Sequence, residues 1–450
     1  FPMSLTSQLV RLIRGKPVAG PDLEQAALMA LDAVANILAG ASSVPGGVLV
    51  AWARDNDIIT SGGLNADPGR RVLLLGGLCH ILEVDDLHRG SVVHPGCVVV
   101  PVLWSGIANG DGRKALVALL HGFEATTRLG ASVGAEHYKI WHNTATCGPF
   151  GSAMAAASLL GLDDAQATHA LGNAGTQAAG LWQFLDTGAM SKHLHAGRGA
   201  EAGLVAASMA RHGFTGAPDI LEGPRGFFAA MCPDGNPARI TAEADAPWQV
   251  HFTSIKPWPS CRHTHPAIDA AQELRRKLSN DGVAAEGIET IEIRCYKSAQ
   301  ALCDRPNPDS LYAAKFSLQH CVAAALALDE VWFDAFEADM RRDLAPIRDK
   351  CTVVIDEAID RAYPRDWGAR ITVVMGDGRR IEALRSQAKG DPELPLTREE
   401  MKAKALRLMA YGNIPDAETF ADAVLEMANG GPVPPLPRAF PTTSATATRH

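Results

Sequence analysis

The sequence predicts a mainly α-helical protein in which a large all-α domain is accompanied by a smaller α+β domain. Three observations lead to this fold class. Amphipathic helical patterns follow one another through the first 265 residues, and strand-like alternation begins only after about residue 285. The length is the third, because 450 residues with 47% hydrophobic and 20% charged composition exceed one ordinary core and indicate two well-buried domains.

The helices of the large domain are predicted from apolar residues that recur every three or four positions and from the glycines that end them. The pattern over 22–39 stops at Gly40, and the small, apolar segment 151–160 indicates a helix that is buried on all sides. The predicted helices cover 22–39, 114–129, 151–160, 164–179 and 199–212.

The smaller domain is predicted from β-branched runs and a hairpin signal. The strands are expected at 288–295, 351–355 and 371–375, and Gly-Asp-Gly at 376–378 leads into another strand. Helices are predicted over 317–328, 331–342 and 416–427, and residues 397–400 form a capping box that opens one more. From Gly430 onward, prolines and a Ser/Thr/Ala tail predict disorder or an extended arm.

Charge, hydropathy and cysteine usage exclude several classes of protein. The net charge of −8 and the pI near 6.0 argue against nucleic-acid binding, which requires a basic face. No apolar run reaches the roughly 18 residues that span a bilayer, and the first residues lack the regions of a signal peptide. Nine cysteines without a C-x-x-C pair favour neither a disulfide framework nor a zinc ribbon, so the expected location is the reducing cytoplasm.

The densest polar segment is residues 82–95, which directly follow an apolar run. Three carboxylates and two imidazoles lie close together there, on Glu83, Asp85, Asp86, His88 and His94. Buried charges are unfavourable unless they are paired, hydrated or used. A catalytic or substrate-binding loop is therefore favoured, and a structural turn is the alternative.

Two further polar segments precede helical patterns. His142 is expected at a helix N-terminus, where the helix dipole favours a neutral imidazole and a bound anion, although a lone histidine is more often structural. Lys192, near Arg198 and two histidines, could hold a carboxylate while backbone amides complete the site; a solvated basic turn is the alternative. A dinucleotide-binding loop is not expected there, because no strand precedes the glycines.

The fourth polar segment is 255–266, where prolines stiffen the chain around Lys256, Cys261 and Arg262. Cys261 alternates with two histidines, which raises the question of zinc. Such a set shares one face only on a strand, and Pro266 with the helical pattern behind it argues against a strand, so no metal site is predicted. A rigid cationic loop that grips carboxylates is favoured instead.

Together these segments hold acids, imidazoles and two separated lysines, without a serine elbow, a P-loop or a metal triad. This combination suits removal of a proton next to a carboxylate. The cations hold the substrate and delocalise the enolate charge, a histidine takes the proton, and a second acid assists the leaving group. Elimination, decarboxylation and epimerisation all begin in this way, and no cofactor is predicted.

At these segments the chain resembles the MmgE/PrpD family, which includes 2-methylcitrate dehydratase, cis-aconitate decarboxylase and iminodisuccinate epimerase. The resemblance extends over roughly residues 4–430. Each motif is weak alone, but their order and spacing are specific. The motifs are Asp85-Asp86 with His94-Pro95-Gly96, Trp141-His142, Lys192 with Leu194-His195-Ala196-Gly197, Lys256-Pro-Trp-Pro-Ser-Cys261, and Ala313-Ala314-Lys315-Phe316-Ser317.

The resemblance implies a homodimer and metal-independent chemistry on small polycarboxylates. It also implies that C-terminal helices complete the large domain and that the α+β domain is inserted. The implied limits are 4–266 with 398–430 for the all-α domain, 267–397 for the α+β domain, and 431–450 for a disordered Pro-rich tail. The implied site residues are Asp85, Asp86, His94, His142, Lys192 and Lys256.

Departures from the family pattern concern the substrate. Glu83, Leu87 and Cys261 stand where the decarboxylases have an acidic residue, a threonine and a histidine, and their tyrosine has no clear match near Gln300. These departures argue against decarboxylation and against strict 2-methylcitrate activity. The Pro-Ser-Cys motif is more similar to the epimerases.

The working hypothesis is a dehydratase that acts on a small hydroxy-di- or tricarboxylate. Lys192, Lys256 and Arg262 bind the carboxylates of the substrate, and replacing Lys192 by Met should abolish turnover without lowering the melting temperature. His94 or His142 abstracts the α-proton.

Two residues of this site and the reaction itself have alternative interpretations. Asp85 orients an imidazole or a water, and Asp86 either contacts the substrate or caps its turn. Cys261 is either the opposite-face acid/base of an epimerase or a core residue. The rivals are an epimerase of an iminodisuccinate-like dicarboxylate, a non-catalytic carboxylate-binding homologue and, more distantly, a metal-dependent hydrolase.

Overall fold

The computed structural model describes residues 3–61, 63–64, 67–108, 110–280 and 287–437. These residues form two compact units. Unit 1 contains the described residues up to Ile255 and from Thr397 onward, and unit 2 runs from Lys256 to Leu396. The mainly α-helical fold class is confirmed. The predicted domain limits stay a prediction; in the observed division, the polar segment from Lys256 onward belongs to unit 2.

Unit 1 is a bundle of helices with two very short ribbons. The ribbons are antiparallel and pair β1 (Ile59–Thr60) with β2 (Gly63–Leu64), and β3 (Leu87–His88) with β4 (Thr253–Ser254). They add small sheets to a region predicted to be helical throughout. The helices before residue 255 are α1 (Leu5–Gly15), α2 (Gly20–Gly40), α3 (Val44–Asp55), α4 (Pro68–His80), α5 (Pro95–Leu103), α6 (Gly112–Gly130), α7 (Ala135–Ile140), α8 (Asn143–Leu160), α9 (Asp164–Gly175), α10 (Ser191–Arg211) and α11 (Phe227–Met231).

Two of these helices begin about two turns earlier than predicted. The helix expected from 151 begins at Asn143, and the helix expected from 199 begins at Ser191. Their first turns carry polar residues, which interrupt the apolar periodicity on which the prediction depended. As a result, His142 is the N-cap of α8 and Lys192 lies in the first turn of α10.

Glycines allow α10 to pack very closely against α4 and α8. A Cβ atom at Gly197 would lie 2.3 Å from the carbonyl oxygen of Leu73 in α4, and one at Gly203 would lie 2.3 Å from that of Pro149 in α8. Any larger residue would have to push these backbones apart. The close packing holds the first turn of α10 near the C-terminal end of α4.

Helix α2 is long and apolar enough to cross a bilayer by length and composition, which the sequence analysis did not anticipate. However, 89% of its most apolar window is buried inside the protein. Leu31, Val34 and Leu38 have no exposed surface. This burial is typical of a core helix.

Unit 2 contains a four-stranded sheet with the order β6-β5-β7-β8. β5 (Ile288–Cys295) is parallel to β6 (Cys351–Ile355) and antiparallel to β7 (Ala369–Met375), which forms a hairpin with β8 (Arg380–Arg385). Ile293 is paired with Val353 on one side and with Ile371 on the other. The helices are α12 (His265–Asn280), α13 (Lys297–Cys303), α14 (Leu311–Lys315), α15 (Leu318–Ala327), α16 (Ala338–Asp343), α17 (Ala345–Arg348) and α18 (Glu357–Ala362).

The prediction of one helix over 331–342 is wrong. Residues Phe333–Phe336 form a single 3₁₀ turn, and α16 begins only at Ala338. The extended backbone of Glu337, with φ −68° and ψ 161°, separates the two. A periodic apolar pattern does not reveal such a break.

The chain returns to unit 1 at Thr397. The predicted capping box is confirmed, because Thr397 and Glu400 each accept the backbone N–H of the other. It opens α19 (Arg398–Tyr411), which is followed by α20 (Ala417–Glu426).

For the residues that follow, the sequence predicts disorder or an extended arm, and the described ones make contacts with unit 1. Trp104 Nε1 donates to the carbonyl oxygen of Pro434 at 2.8 Å, and the Val433 amide donates to that of Gly110 at 3.0 Å. Residues 431–437 thus form an extended arm, and 438–450 lie outside the described residues.

Candidate active site

The polar segment 82–95 forms the loop between α4 and α5 and is held from several directions within unit 1. The β3–β4 pairing of Leu87 with Ser254 holds its middle. Lys404 of α19 donates to the carbonyl oxygen of Val84 at 2.7 Å and pairs with Asp32 of α2 at 2.5 Å. Because Val84 separates two acidic residues, these contacts orient the carboxylates on both sides of it.

Asp85 and His80 form a fully buried pair at the beginning of this loop. His80 Nδ1 lies 2.6 Å from Asp85 Oδ2, and neither residue is exposed. Burial lowers the pKa of His80 to about 3, so its imidazole is neutral at pH 7. Burial opposes the ionisation of Asp85, but the imidazoles of His80 and His94 outweigh it and hold the pKa of this carboxyl well below its usual range. The hydrogen between them is therefore on His80 Nδ1.

His94 lies on the other side of the same carboxylate. Its Nδ1 is 2.6 Å from the carbonyl oxygen of Asp86 and 3.4 Å from Asp85 Oδ2. Since a carbonyl oxygen only accepts, Nδ1 of His94 carries a hydrogen and Nε2 presents a lone pair when the ring is neutral. The side chain is 12% exposed, whereas that of His80 is not exposed at all. His94 is the imidazole of the pair that a ligand can reach.

Asp86 faces the backbone. Both of its carboxylate oxygens accept the amide hydrogen of Gly96, in the first turn of α5, at 3.1 and 3.0 Å. Burial, and then the charges of Asp85 and Asp32, raise its pKa well above the usual range. These contacts support the capping role that the sequence left open, and contact with the substrate stays a prediction.

His142 adds a third buried imidazole. Its ring stacks on that of His80 with 5.8 Å between centroids, and its Nδ1 lies 3.2 Å from Nδ1 of His195 in α10. Trp182 covers it with 4.6 Å between ring centroids. Burial, and then the neighbouring His80 and Lys192, lower the pKa of His142 well below 6.5. The ring is neutral at pH 7.

Lys192 reaches the loop from the first turn of α10 and forms an ion pair with Glu83. Both residues are buried, with 8% and 3% of their surface exposed. Glu83 has φ +61°, a left-handed conformation that is uncommon for residues other than glycine. Backbone of this kind is often retained at functional sites.

Lys256, Cys261 and Arg262 lie in unit 2 and are described there. Arg262 forms an ion pair with Asp391, while its other terminal nitrogen, Nη1, has no hydrogen-bond partner among the described residues. The Cys261 amide donates to the carbonyl oxygen of Lys315 at 2.9 Å. Lys256 is 1% exposed. The structure thus brings together three of the four polar segments, and the approach of the fourth stays a prediction.

Among the described residues, two groups of side chains could hold a metal ion by the positions of their ligand atoms. They are His80, Asp85 and Cys97, and Asp85, Asp86 and His94. In the first group, Asp85 already receives the His80 hydrogen, and burial raises the pKa of Cys97 well above its usual range. In the second, the raised pKa of Asp86 disfavours a charged ligand. These states oppose metal binding, and metal-independent chemistry stays a prediction.

The sequence analysis missed three residues of this cluster. His80 is the last residue of α4 and lies between the apolar run and the polar segment 82–95, so neither pattern includes it. Lys404 and Asp32 lie on α19 and α2, far from the loop in sequence, and no motif marks them. Only the spacing of His80 and Asp85, five residues apart, could have indicated their contact.

Comparisons with known proteins find similar sequences over most of this chain. The MmgE/PrpD N-terminal domain matches residues 12–240, and the MmgE/PrpD C-terminal domain matches residues 258–428. A cis-aconitate decarboxylase-like protein of Aspergillus oryzae is 28% identical over 76% of this chain and 75% of its own length. The cis-aconitate decarboxylase of Homo sapiens is 29% identical over 56% and 54%, and the 2-methylcitrate dehydratase of Cupriavidus necator is 26% identical over 45% and 42%.

Proposed function

This chain belongs to the MmgE/PrpD family of enzymes, and we propose that it is a dehydratase that removes water from a small hydroxytricarboxylate or hydroxydicarboxylate. One observation carries the proposal: the ionised Asp85 lies between His80 and His94, with the neutral His142 stacked on His80. Elimination requires a base for the α-proton and an acid for the leaving hydroxyl. This cluster offers imidazoles in two different electrostatic environments.

His142 is the base. Burial, and then the neighbouring His80 and Lys192, lower its pKa and keep the ring neutral in the free protein, so that a lone pair is available at pH 7. The positive charge of Lys192 lowers the pKa of His142, and a polyanionic substrate beside the ring offsets part of that charge. The basicity of His142 therefore rises when the substrate is bound and the proton is to be taken. Nδ1 of His142 faces His195, which leaves Nε2 for the substrate.

His94 is the acid. The Asp85 carboxylate lies 3.4 Å from its Nδ1 and stabilises the imidazolium form, which donates the Nε2 hydrogen to the departing hydroxyl. His80 keeps the carboxylate in place from the opposite side through its 2.6 Å hydrogen bond. Asp85 is therefore a positioning residue, and so is His80.

Lys192 binds one carboxylate of the substrate and lowers the pKa of the neighbouring C–H bond. In the free protein, its charge is balanced by Glu83. A substrate carboxylate must therefore share Lys192 with Glu83 or take the place of Glu83. A small neutral ligand has no charge with which to do so and is disfavoured. Lys256 and Arg262 are proposed to bind the other carboxylates, and Cys261 is the opposite-face acid/base if the enzyme epimerises.

A product screen tests the reaction type. Citrate, methylcitrate, citramalate, tartrate and iminodisuccinate are incubated with the protein in heavy water and followed by NMR. New alkene signals support the dehydratase, whereas deuterium exchange with inversion and no alkene indicates the epimerase. Release of CO₂ indicates a decarboxylase, the activity named for two of the relatives. Tight binding without exchange indicates a non-catalytic homologue.

We also propose a cytoplasmic homodimer without a metal cofactor, as the family resemblance implies. All nine cysteines lie in the described part of the chain, are buried and form no disulfide, in keeping with a reducing compartment. Light scattering measures the oligomeric state. Activity that survives a chelator, with no metal found by elemental analysis, supports the metal-independent reaction.

A further inference from the structure

We propose that His195 is a proton relay that carries protons between the buried base His142 and a pocket at the surface of unit 1. This inference rests on the proposed function and deepens it, because it concerns how the base is reset between turnovers. His142 is only 2% exposed, so water reaches it poorly. A base in such a position requires a partner that takes up its positive charge while the substrate site is occupied.

The contact between the two rings has the geometry of a relay. Nδ1 of His142 and Nδ1 of His195 are 3.2 Å apart, so one nitrogen donates a hydrogen and the other accepts it. Phe184 packs edge-on against the His195 ring at 5.5 Å between centroids and restricts its rotation. The pair thus joins the His80–His142 stack to α10.

His195, which is half-buried, also lines a pocket at the surface of unit 1. The pocket has a volume of about 700 Å³, and Gln183 and Arg198 supply polar groups to its wall. It opens to solvent, because the lining residues Leu181 and Leu194 are 52% and 53% exposed. His195 is therefore in contact with the buried base through Nδ1 and lines a pocket that is open to bulk water.

The proton transfers balance as follows. Before reaction, His142 carries its hydrogen on Nδ1 and His195 carries its own on Nε2. When His142 Nε2 takes the α-proton, the imidazolium passes its Nδ1 hydrogen to Nδ1 of His195. His195 then releases its Nε2 hydrogen to water in the pocket, and both rings are neutral again. After the product leaves, His142 Nε2 releases the α-proton to water in the emptied substrate site. The transfer between the rings then runs back: His195 Nε2 takes a hydrogen from water in the pocket, and its Nδ1 hydrogen returns to Nδ1 of His142.

The first experiment compares His195→Ala and His195→Asn with the wild-type enzyme. Resetting the base becomes slow, so the first turnover keeps its rate while steady-state kcat falls about 10- to 100-fold and KM changes less than twofold. Added imidazole fills the space left in His195→Ala and restores kcat in proportion to its concentration. It restores little in His195→Asn, where the amide occupies that space. The matched control is His212→Ala, which removes an exposed imidazole from the other end of the same helix and leaves kcat unchanged.

Two results overturn the relay: an unchanged kcat in His195→Ala, or a loss of kcat that imidazole does not restore. A second measurement is independent of the reaction. Nitrogen-15 NMR of the free protein should show His142 protonated on Nδ1 and His195 on Nε2, and Nε2 protonation of both rings overturns the proposal. If the wild-type enzyme forms no alkene product while the tautomers are as expected, the proposed function fails and the relay contact stands.

Discussion

Replacing Asp85 by Asn tests the proposed acid most directly. The change keeps the size of the side chain but removes the negative charge that faces both His80 and His94. The fold should survive, since the amide oxygen can still accept the hydrogen of His80 Nδ1, now 2.6 Å from the carboxylate. What is lost is the attraction between Asp85 and the His94 imidazolium.

The size of the effect follows from Coulomb's law. Two unit charges 3.4 Å apart interact with about 5 kcal/mol at an effective dielectric constant of about 20. The amide dipole of the replacement side chain recovers part of this energy. A loss of about 2.7 to 4.1 kcal/mol corresponds to a kcat that is lower by about 10² to 10³, within the usual range for general acid–base catalysis.

The assay is the rate of alkene formation at saturating substrate, with circular dichroism to verify the fold. Asp86→Asn is the matched control at the next position. Because the pKa of Asp86 is raised well above its usual range, a neutral amide resembles its preferred state, and kcat should fall less than tenfold. Equal losses in the two variants, or a loss below tenfold in Asp85→Asn, would refute the assignment of Asp85.

Three further predictions concern stability. Lys192→Met is expected to abolish turnover and, contrary to the expectation from sequence, to lower the unfolding free energy by about 3 to 5 kcal/mol, because Glu83 stays buried without its cation. Adding Glu83→Gln in the same chain should restore most of this stability, as measured by urea denaturation, but no activity. Lys404→Met should lower the unfolding free energy by a similar amount, because Asp32 stays buried without its cation, and adding Asp32→Asn should restore it. A Lys404→Met variant as stable as the wild type would contradict a stabilising ion pair between Lys404 and Asp32. The free energy of unfolding should be highest above about pH 6.5 and fall toward pH 4, because burial lowers the pKa of His80 and His263 to about 3 and the unfolded chain therefore binds more protons than the folded chain in this range. Each such histidine contributes a slope of about 1.4 kcal/mol per pH unit. A free energy of unfolding that does not change between about pH 7 and 5 would argue against buried, neutral histidines.

Local patterns in the sequence predicted most of the elements. The limits of β5 and β6 agree with the runs at 288–295 and 351–355, because alternating and β-branched residues report directly on a sheet. The capping box at Thr397 agrees as well, since its hydrogen bonds involve residues three apart. The polar first turns of α8 and α10 were missed, because a helix start without an apolar stripe has no periodic signal.

The sequence by itself determined the helical fold class and the family, and it predicted that Asp85, His94, His142 and Lys192 belong to one site, through motifs that are each local. The tertiary structure decided which of them touch. Only the packing of α10 on α4 and α8 pairs Lys192 with Glu83 and places His195 against His142. The physical reason is that pairing, burial and pKa depend on distances of a few ångströms between residues far apart in the chain, and local patterns carry no information about such distances.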